Sequence, residues 1–310
     1  MRLHHVRERG NIVGRFSKQC ELSPLFLDEM GNNTSIRESE DIPEGNGARF
    51  HEKIVPEEIL YIIFSFVPAR DLLRSVTYVC KYWHDLLTHF HFWFRKLEVE
   101  RIALSDETKE KLLSLDDEKR ALYILQGLAT RYLPLNQNMI KNPCGADGLK
   151  HWHCRRNRKM IAVESEPVGS DPIPEEAKLP TQHCFVTSYQ SSSRTQSFTL
   201  NERGLSPELM DLLRPKIYVC QWVSARWDCR SESELVIALC GAQETKRVKL
   251  TWSSDDEDVV GSKWYKMETT ITDYPAGLSE ITYSSFGKDL QYWAGFYGSK
   301  TTGSTLMLVF

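Results

Sequence analysis

No apolar run in this sequence approaches the roughly 18–20 residues that cross a bilayer. The longest candidate, Ile59 to Val67, is short and interrupted by Ser65, so no transmembrane segment is expected. Charge of one sign is not in excess either: 39 Lys and Arg stand against 42 Asp and Glu, a net charge of -3. That balance lacks the basic field that draws nucleic acid or anionic lipid, and nucleic acid is not expected as a partner. Cysteine is sparse, with eight residues spread thinly through the chain, which reads as reduced cytosolic thiols rather than a disulfide framework. The N-terminus carries Arg2, Arg7, Arg9, Arg15 and Lys18 without the continuous apolar core of a secretory signal. The glycosylation patterns at Asn32 and Asn33 therefore read as chance matches in a polar segment.

Catalytic signatures are missing as well. There is no G-x-S-x-G elbow, no H-E-x-x-H helix and no glycine-rich phosphate loop, so no catalytic residue and no cofactor is assigned. Cys144, His151, His153 and Cys154 gather two sulfurs and two imidazoles in "CGADGLKHWHC". Paired C-x-x-C knuckles are absent and adjacent His-x-His-Cys suits a closed tetrahedral site poorly, so the segment reads as a strand start with a buried Cys144 and exposed histidines, and no metal is assigned. The acidic run Asp255 to Asp258 lacks the alternating spacing and turn glycine of a calcium loop and reads as a solvated hairpin tip.

What is present is modular. Residues 1–50, a basic half followed by an acidic, turn-rich half, read as a disordered leader. Residues 51–97 carry two broad amphipathic helical stripes. Pro56 suits a first helical position, and Ile59, Ile62, Ile63 and Phe66 follow at helical spacing up to Val67-Pro68. Asp71 is placed as the N-cap of the next helix, with Leu72, Val76, Val79, Cys80, Trp83 and Leu87 on one face. That apolar surface exceeds what so small a unit can cover, so part of it should meet a partner. Residues 98–131 stay helical as a connector. From 132 to 310, short segments recur between turn signals, among them "CFVTSY", "KIYVCQW", "ELVIALC", "EITYSSF", "LQYWAGFY" and "TLMLVF". The fold class is thus α+β and multidomain: small N-terminal helices, a helical linker, and a C-terminal antiparallel β-sandwich of jelly-roll type.

The helical block resembles an F-box, through Val55-Pro56-Glu57, Val67-Pro68 before Asp71-Leu72, Val79-Cys80, Trp83 and Trp93. The resemblance implies binding of a Skp-type adaptor of a cullin-RING ubiquitin ligase, with Pro56, Leu60, Ile63, Val67, Pro68, Leu72, Val79 and Trp83 as the adaptor-binding positions. The remainder resembles the F-box-associated domain of the sugar-recognising F-box proteins, through "NMIKNPCG" at 138–145, "QWVSARWD" at 221–228, "ITDYPAG" at 271–277 and "YWAGFYG" at 292–298. It implies a non-enzymatic, cytoplasmic receptor, reaching the endoplasmic reticulum peripherally, that holds the chitobiose of high-mannose N-linked glycans on misfolded glycoproteins and directs them to ubiquitination and proteasomal degradation. Tyr189 stands at the family's aromatic platform, usually Phe, Asp228 at its sugar-binding Asp, and Tyr292 and Trp293 at its Tyr-Trp pair, while Ala294 replaces the usual Lys.

The physics of that site is ring stacking on the C–H face of a sugar, with a carboxylate accepting from its donors. Adjacent Tyr292 and Trp293 would point to opposite faces of a regular strand, so both line one site only if the chain bends or leaves the sheet, for which Gly295 and Gly298 give the means. The competing reading makes Trp293 and Phe296 core, with Tyr292 and Tyr297 merely exposed. Two other functions remain open: an F-box receptor for a protein or peptide client without glycan, and a glycan-processing enzyme with Asp228 as the one nameable carboxylate.

Overall fold

The computed structural model describes residues 49–50, 53–115, 117–155 and 158–309; the expected leader, apart from its last two residues, lies outside them. A two-residue ribbon, β1 (Arg49–Phe50) and β2 (Lys53–Ile54), precedes the first helix. Helix α1 (Glu57–Phe66) has Pro56 at its N-cap, one place before the first helical position expected for it, with Glu57 and Glu58 in its first turn, and stops before Val67 and Pro68, where the fixed proline φ and missing N–H forbid continuation. The expected second helix is divided into α2 (Ala69–Arg74), a 3-10 turn at Val76–Tyr78, and α3 (Lys81–Leu86). Pro68, not Asp71, holds the cap position of α2, and Asp71 sits in its first turn, where a carboxylate still favours the positive end of the helix.

Helix α4 (Phe90–Val99) packs on α1 and buries Phe92, Trp93 and Leu97. The Trp93 indole N–H donates to the Leu87 carbonyl at 2.7 Å. Lys96, 1 % exposed, donates from Nζ to the Ser65 carbonyl at 2.9 Å and pairs with Glu100 at 2.8 Å, so its buried charge is matched at both ends. The connector is two helices with side-chain caps. Ser105 Oγ accepts from Thr108 N to open α5 (Asp106–Leu113), and Asp117 Oδ1 accepts from Arg120 N to open α6 (Glu118–Ala129), each satisfying an otherwise unpaired helix donor. Helix α6 packs on α4, and Arg70 Nε donates to the Thr130 carbonyl at 3.4 Å, so connector and first helices form a continuous body.

The C-terminal part is two five-stranded antiparallel sheets. Strands are β3 (His153–Arg155), β4 (Ile161–Glu164), β5 (Cys184–Thr187), β6 (Ser192–Thr199), β7 (Lys216–Ser224), β8 (Ser231–Cys240), β9 (Thr245–Ser253), β10 (Tyr265–Ile271), β11 (Glu280–Asp289) and β12 (Lys300–Val309), with a short helix α7 (Pro207–Leu213) after β6. One sheet runs β10-β7-β12-β5-β4, the other β3-β6-β11-β8-β9. Inward-facing Ile217, Val219, Leu235, Ile237, Ile281, Tyr283, Leu306 and Leu308 fill the space between them and are at most 1 % exposed, the alternation a sandwich core requires. Arg194 is also buried there, donating to Ser285 Oγ, Thr301 Oγ1 and Ser304 Oγ at 3.0, 2.8 and 3.0 Å between the rings of Phe185 and Trp152. Burial pulls its pKa down to about 10, which leaves it a cation at neutral pH.

The two ends of the sandwich differ. At one end the segment that follows the connector docks: Asn136 N donates to Leu308 O at 2.7 Å and Met139 N to Leu306 O at 2.9 Å. At the other, Lys300 is paired with Val186 and Ser224, and the loops 188–191, 225–230, 254–264 and 290–299 gather. Strand β12 runs from one end to the other, roughly 30 Å at the rise of a β-strand. Helices and loop cluster are thereby set on opposite ends of the sandwich.

Candidate functional site

"LQYWAGFY" is not a strand. Residues 290–299 form a loop between β11 and β12, and the reason lies in Asp289. This side chain is fully buried at the last position of β11, where Oδ1 accepts from the amides of Gln291 and Tyr292. The resulting turn carries Tyr292 into the left-handed region at φ 57° and takes the chain off the sheet, a conformation an aromatic residue adopts only when its surroundings over-determine it. The loop is tied back by Gly298 N donating to Thr187 O at 2.8 Å and by Ser188 Oγ donating to Gly295 O. Gly298 is confined by this closure: a Cβ there would come within 2.9 Å of both Asp289 N and Thr187 O.

Leaving the sheet frees both rings of the Tyr-Trp pair. Tyr292 is 73 % exposed and Trp293 41 %, and Phe296 is exposed beside them, so Trp293 and Phe296 are not core. Trp293 is held edge-on by Tyr297, with ring centroids 5.6 Å apart, an arrangement that fixes its plane. Tyr189, half-buried, follows Ser188. Ser188 links Tyr189 to the aromatic loop, because its carbonyl accepts from Asp289 N at 3.1 Å while its hydroxyl bonds Gly295.

Asp228 sits in the tight turn between β7 and β8, closed by the Arg226–Cys229 bridge. Arg226 grips it with two bonds, Nε to Oδ1 at 2.8 Å and Nη2 to Oδ2 at 3.1 Å. The Arg226 bonds hold the Asp228 carboxyl below the usual carboxylate range, and the same pair raises Arg226. The guanidinium also lies 5.0 Å from the centre of the Tyr297 ring, within cation–π range. One residue, Arg226, therefore joins the carboxylate to the aromatic loop. Behind them Lys300, fully buried, pairs with Glu164 at 2.6 Å. The four residues expected at the sugar site are thus all found on loops of one sandwich end. Arg226, Tyr297 and Ser188, which brace them, escape a sequence reading; the Arg-x-Asp spacing inside "ARWD" is the only signal for the first.

The helical positions expected to meet an adaptor divide by burial. Leu60 and Leu72 are buried, and half-buried Trp83 packs edge-on against Phe64 at 5.0 Å, so these hold the helices together. Pro56, Ile63, Pro68 and Val79 are exposed and Val67 is half-buried. Around them Ile59, Ile62, Phe66 and Tyr78 also stand exposed, Phe66 at 73 %. Among the described residues no cluster of His, Cys, Asp and Glu could hold a metal, no helix is long and apolar enough to cross a membrane, and no disulfide is formed. Cys144 is buried, while His151 and His153 are exposed at the start of β3.

Known proteins share both parts of this chain. The family described as F-box associated region matches residues 131–308, and the family described as F-box-like matches residues 54–98. F-box only protein 6 of Mus musculus is 31 % identical over 266 residues, covering 83 % of this chain and 83 % of its own. F-box only protein 44 of Homo sapiens is 30 % identical over 257 residues, 82 % and 95 % of the two chains. F-box only protein 27 of Mus musculus is 30 % identical over 258 residues, 82 % and 89 %. Among solved structures, a carbohydrate-binding module in complex with β-1,4-galactotriose superposes at a TM-score of 0.36 with 12 % identity, covering 56 % of this chain and 99 % of that one. The chain belongs to the F-box proteins that carry a C-terminal F-box associated region.

Proposed function

We propose that this chain is the non-catalytic substrate receptor of a cullin-RING ubiquitin ligase, and that it selects misfolded glycoproteins by the inner chitobiose of their N-linked glycans. The observation that carries the glycan reading is the departure of residues 290–299 from the sheet, which exposes the Tyr292 and Trp293 rings at the same sandwich end as a carboxylate that Arg226 keeps ionised and oriented. A sugar offers C–H faces to rings and hydroxyl and amide donors to a carboxylate, and this end supplies both. Ala294 contributes no donor where the family usually has Lys, so hydrogen bonding falls more heavily on Asp228.

The adaptor is met by the exposed side chains Ile59, Ile62, Ile63, Phe66, Tyr78 and Val79, a concentration of exposed apolar residues of the kind that marks a protein interface. The ligase would then be docked at one end and the client at the other. Titration of the full chain with chitobiose, followed by tryptophan fluorescence, tests the reading. A saturable change that Trp293→Ala and Asp228→Ala both remove is expected. No change in the wild-type protein at millimolar sugar would leave a receptor for a protein client in its place.

A further inference from the structure

A second apolar cluster stands at the same loop end. Trp227, the residue between Arg226 and Asp228, is 74 % exposed, and Val168 and Val260 are more than half exposed. The three are carried by segments bonded to one another: Trp227 N donates to Gly169 O at 2.9 Å, and Ala225 N to Gly261 O at 2.8 Å. Asp171 N donates to Ser262 O at 2.8 Å, and the Trp264 indole N–H to Asp171 O at 2.7 Å, which closes the ring of segments. None of the three is part of the sandwich core, and it is their grouping on bonded segments, rather than the exposure of any one, that marks a surface for binding.

The chemistry of the cluster selects its occupant. The amides of all three apolar residues are engaged within the protein: Val168 N by Glu164 Oε2 at 3.0 Å, Trp227 N by Gly169 O, and Val260 N by the Tyr265 hydroxyl at 2.8 Å. Their side chains present an indole and two isopropyl groups to solvent, beside the exposed carboxylates of Asp171 and Asp258 on the same segments. A sugar ring would find a stacking face there but no partners for its hydroxyls from these amides, and each unpaired polar group costs free energy on burial. Apolar side chains have no such need. Chitobiose is the pair of sugars next to the glycosylated asparagine, so a client held by it at Asp228 would bring its own polypeptide within reach of this loop, where Trp227 immediately precedes Asp228.

We propose that Trp227, with Val168 and Val260, forms a second subsite that takes apolar side chains of the unfolded client polypeptide beside its glycosylated asparagine. The proposal rests on the glycan reading above and adds to it a reason for preferring unfolded clients. Sugar and side chain belong to one molecule, so engagement of the first raises the effective concentration of the second. A modest apolar contact then becomes a large discrimination against folded glycoproteins, whose apolar side chains are buried.

The test uses the full chain as wild type, Trp227→Ala and Asp228→Asn against three probes: chitobiose, reduced and alkylated ribonuclease B, and the same denatured protein after enzymatic deglycosylation. Trp227→Ala is expected to bind chitobiose within about twofold of wild type but the denatured glycoprotein about tenfold more weakly, a difference of about 1.4 kcal/mol. Asp228→Asn should lose both. Equal loss of chitobiose in Trp227→Ala would make Trp227 a sugar platform and overturn the proposal, as would unchanged binding of all three probes. If wild type fails to bind chitobiose, the glycan reading falls by itself; the subsite then stands if Trp227→Ala weakens binding of the deglycosylated chain and falls if it does not.

Discussion

Asp228 owes its chemistry to Arg226. A carboxylate beside exposed rings would otherwise rotate among solvated positions, whereas two charge-assisted bonds hold both its oxygens. The Arg226 bonds depress the Asp228 pKa, so the interaction is complete above the ordinary carboxylate range and is lost as pH falls through the depressed folded value. Arg226→Met removes the depression. Chitobiose capture should then fail at a higher pH than in wild type, which titrations stepped from about pH 6 to about pH 4 across the carboxylate range would detect, with circular dichroism confirming that the fold persists. A second residue-scale expectation concerns Gly298, whose added Cβ would press on backbone at 2.9 Å. Gly298→Ala should lower stability by about 1–3 kcal/mol, the usual cost of overpacking, and should weaken sugar binding because the aromatic loop loses its closure. That Tyr292, Trp293 and Asp228 lie at one loop end was legible through the family resemblance, because they fall in the recognisable strings "YWAGFYG" and "QWVSARWD". Their braces were not: Ser188 and Arg226 act through contacts that only the folded loops create.

At the scale of elements, helix α1 is apolar on two faces. Leu60 and Phe64 face the core, while Ile59, Ile62, Ile63 and Phe66 face outward, which is why the stripe looked too broad for a unit of this size. Substitutions separate the two faces. Ile63→Asp should abolish capture of the adaptor in a pull-down while leaving the thermal transition in place. Leu72→Ala, at a fully buried position, should destabilise by about 2–5 kcal/mol, and Leu60→Asp would unfold the helices rather than probe the surface. Sequence periodicity worked where inward positions are apolar, as in β8 and β11, and failed at β6. There the inward residues are Ser192, Arg194, Gln196 and Phe198, three of them polar, because Arg194 and its hydroxyl partners occupy that part of the core. The same period argument misplaced "LQYWAGFY": its apolar content is right for a strand, but Asp289 turns the chain away before the strand can continue.

On the scale of the whole molecule, position is what this chain contributes. The apolar face proposed for the adaptor lies on helices that join the connector, the segment after the connector docks where Leu308 pairs with Leu135, and the rings lie roughly 30 Å away along β12. Ubiquitin transfer by an assembled ligase depends on holding a client lysine near the transferring enzyme, and a rigid path supplies the local concentration such a reaction needs. The path has few joints: Arg70 bonds the Thr130 carbonyl, Leu133 is buried, and Asn136 and Met139 pair with the last strand. A flexible Gly-Ser spacer inserted between Pro134 and Leu135 would interrupt that path between its two docked halves. Adaptor pull-down and chitobiose affinity should both survive it, since neither surface includes these residues. The rate of ubiquitin addition to a denatured glycoprotein, measured in a reconstituted ligase, should fall severalfold, because a client at the end of a flexible tether samples a larger volume. An undiminished rate would mean that capture alone limits the reaction and that the connector need only tether.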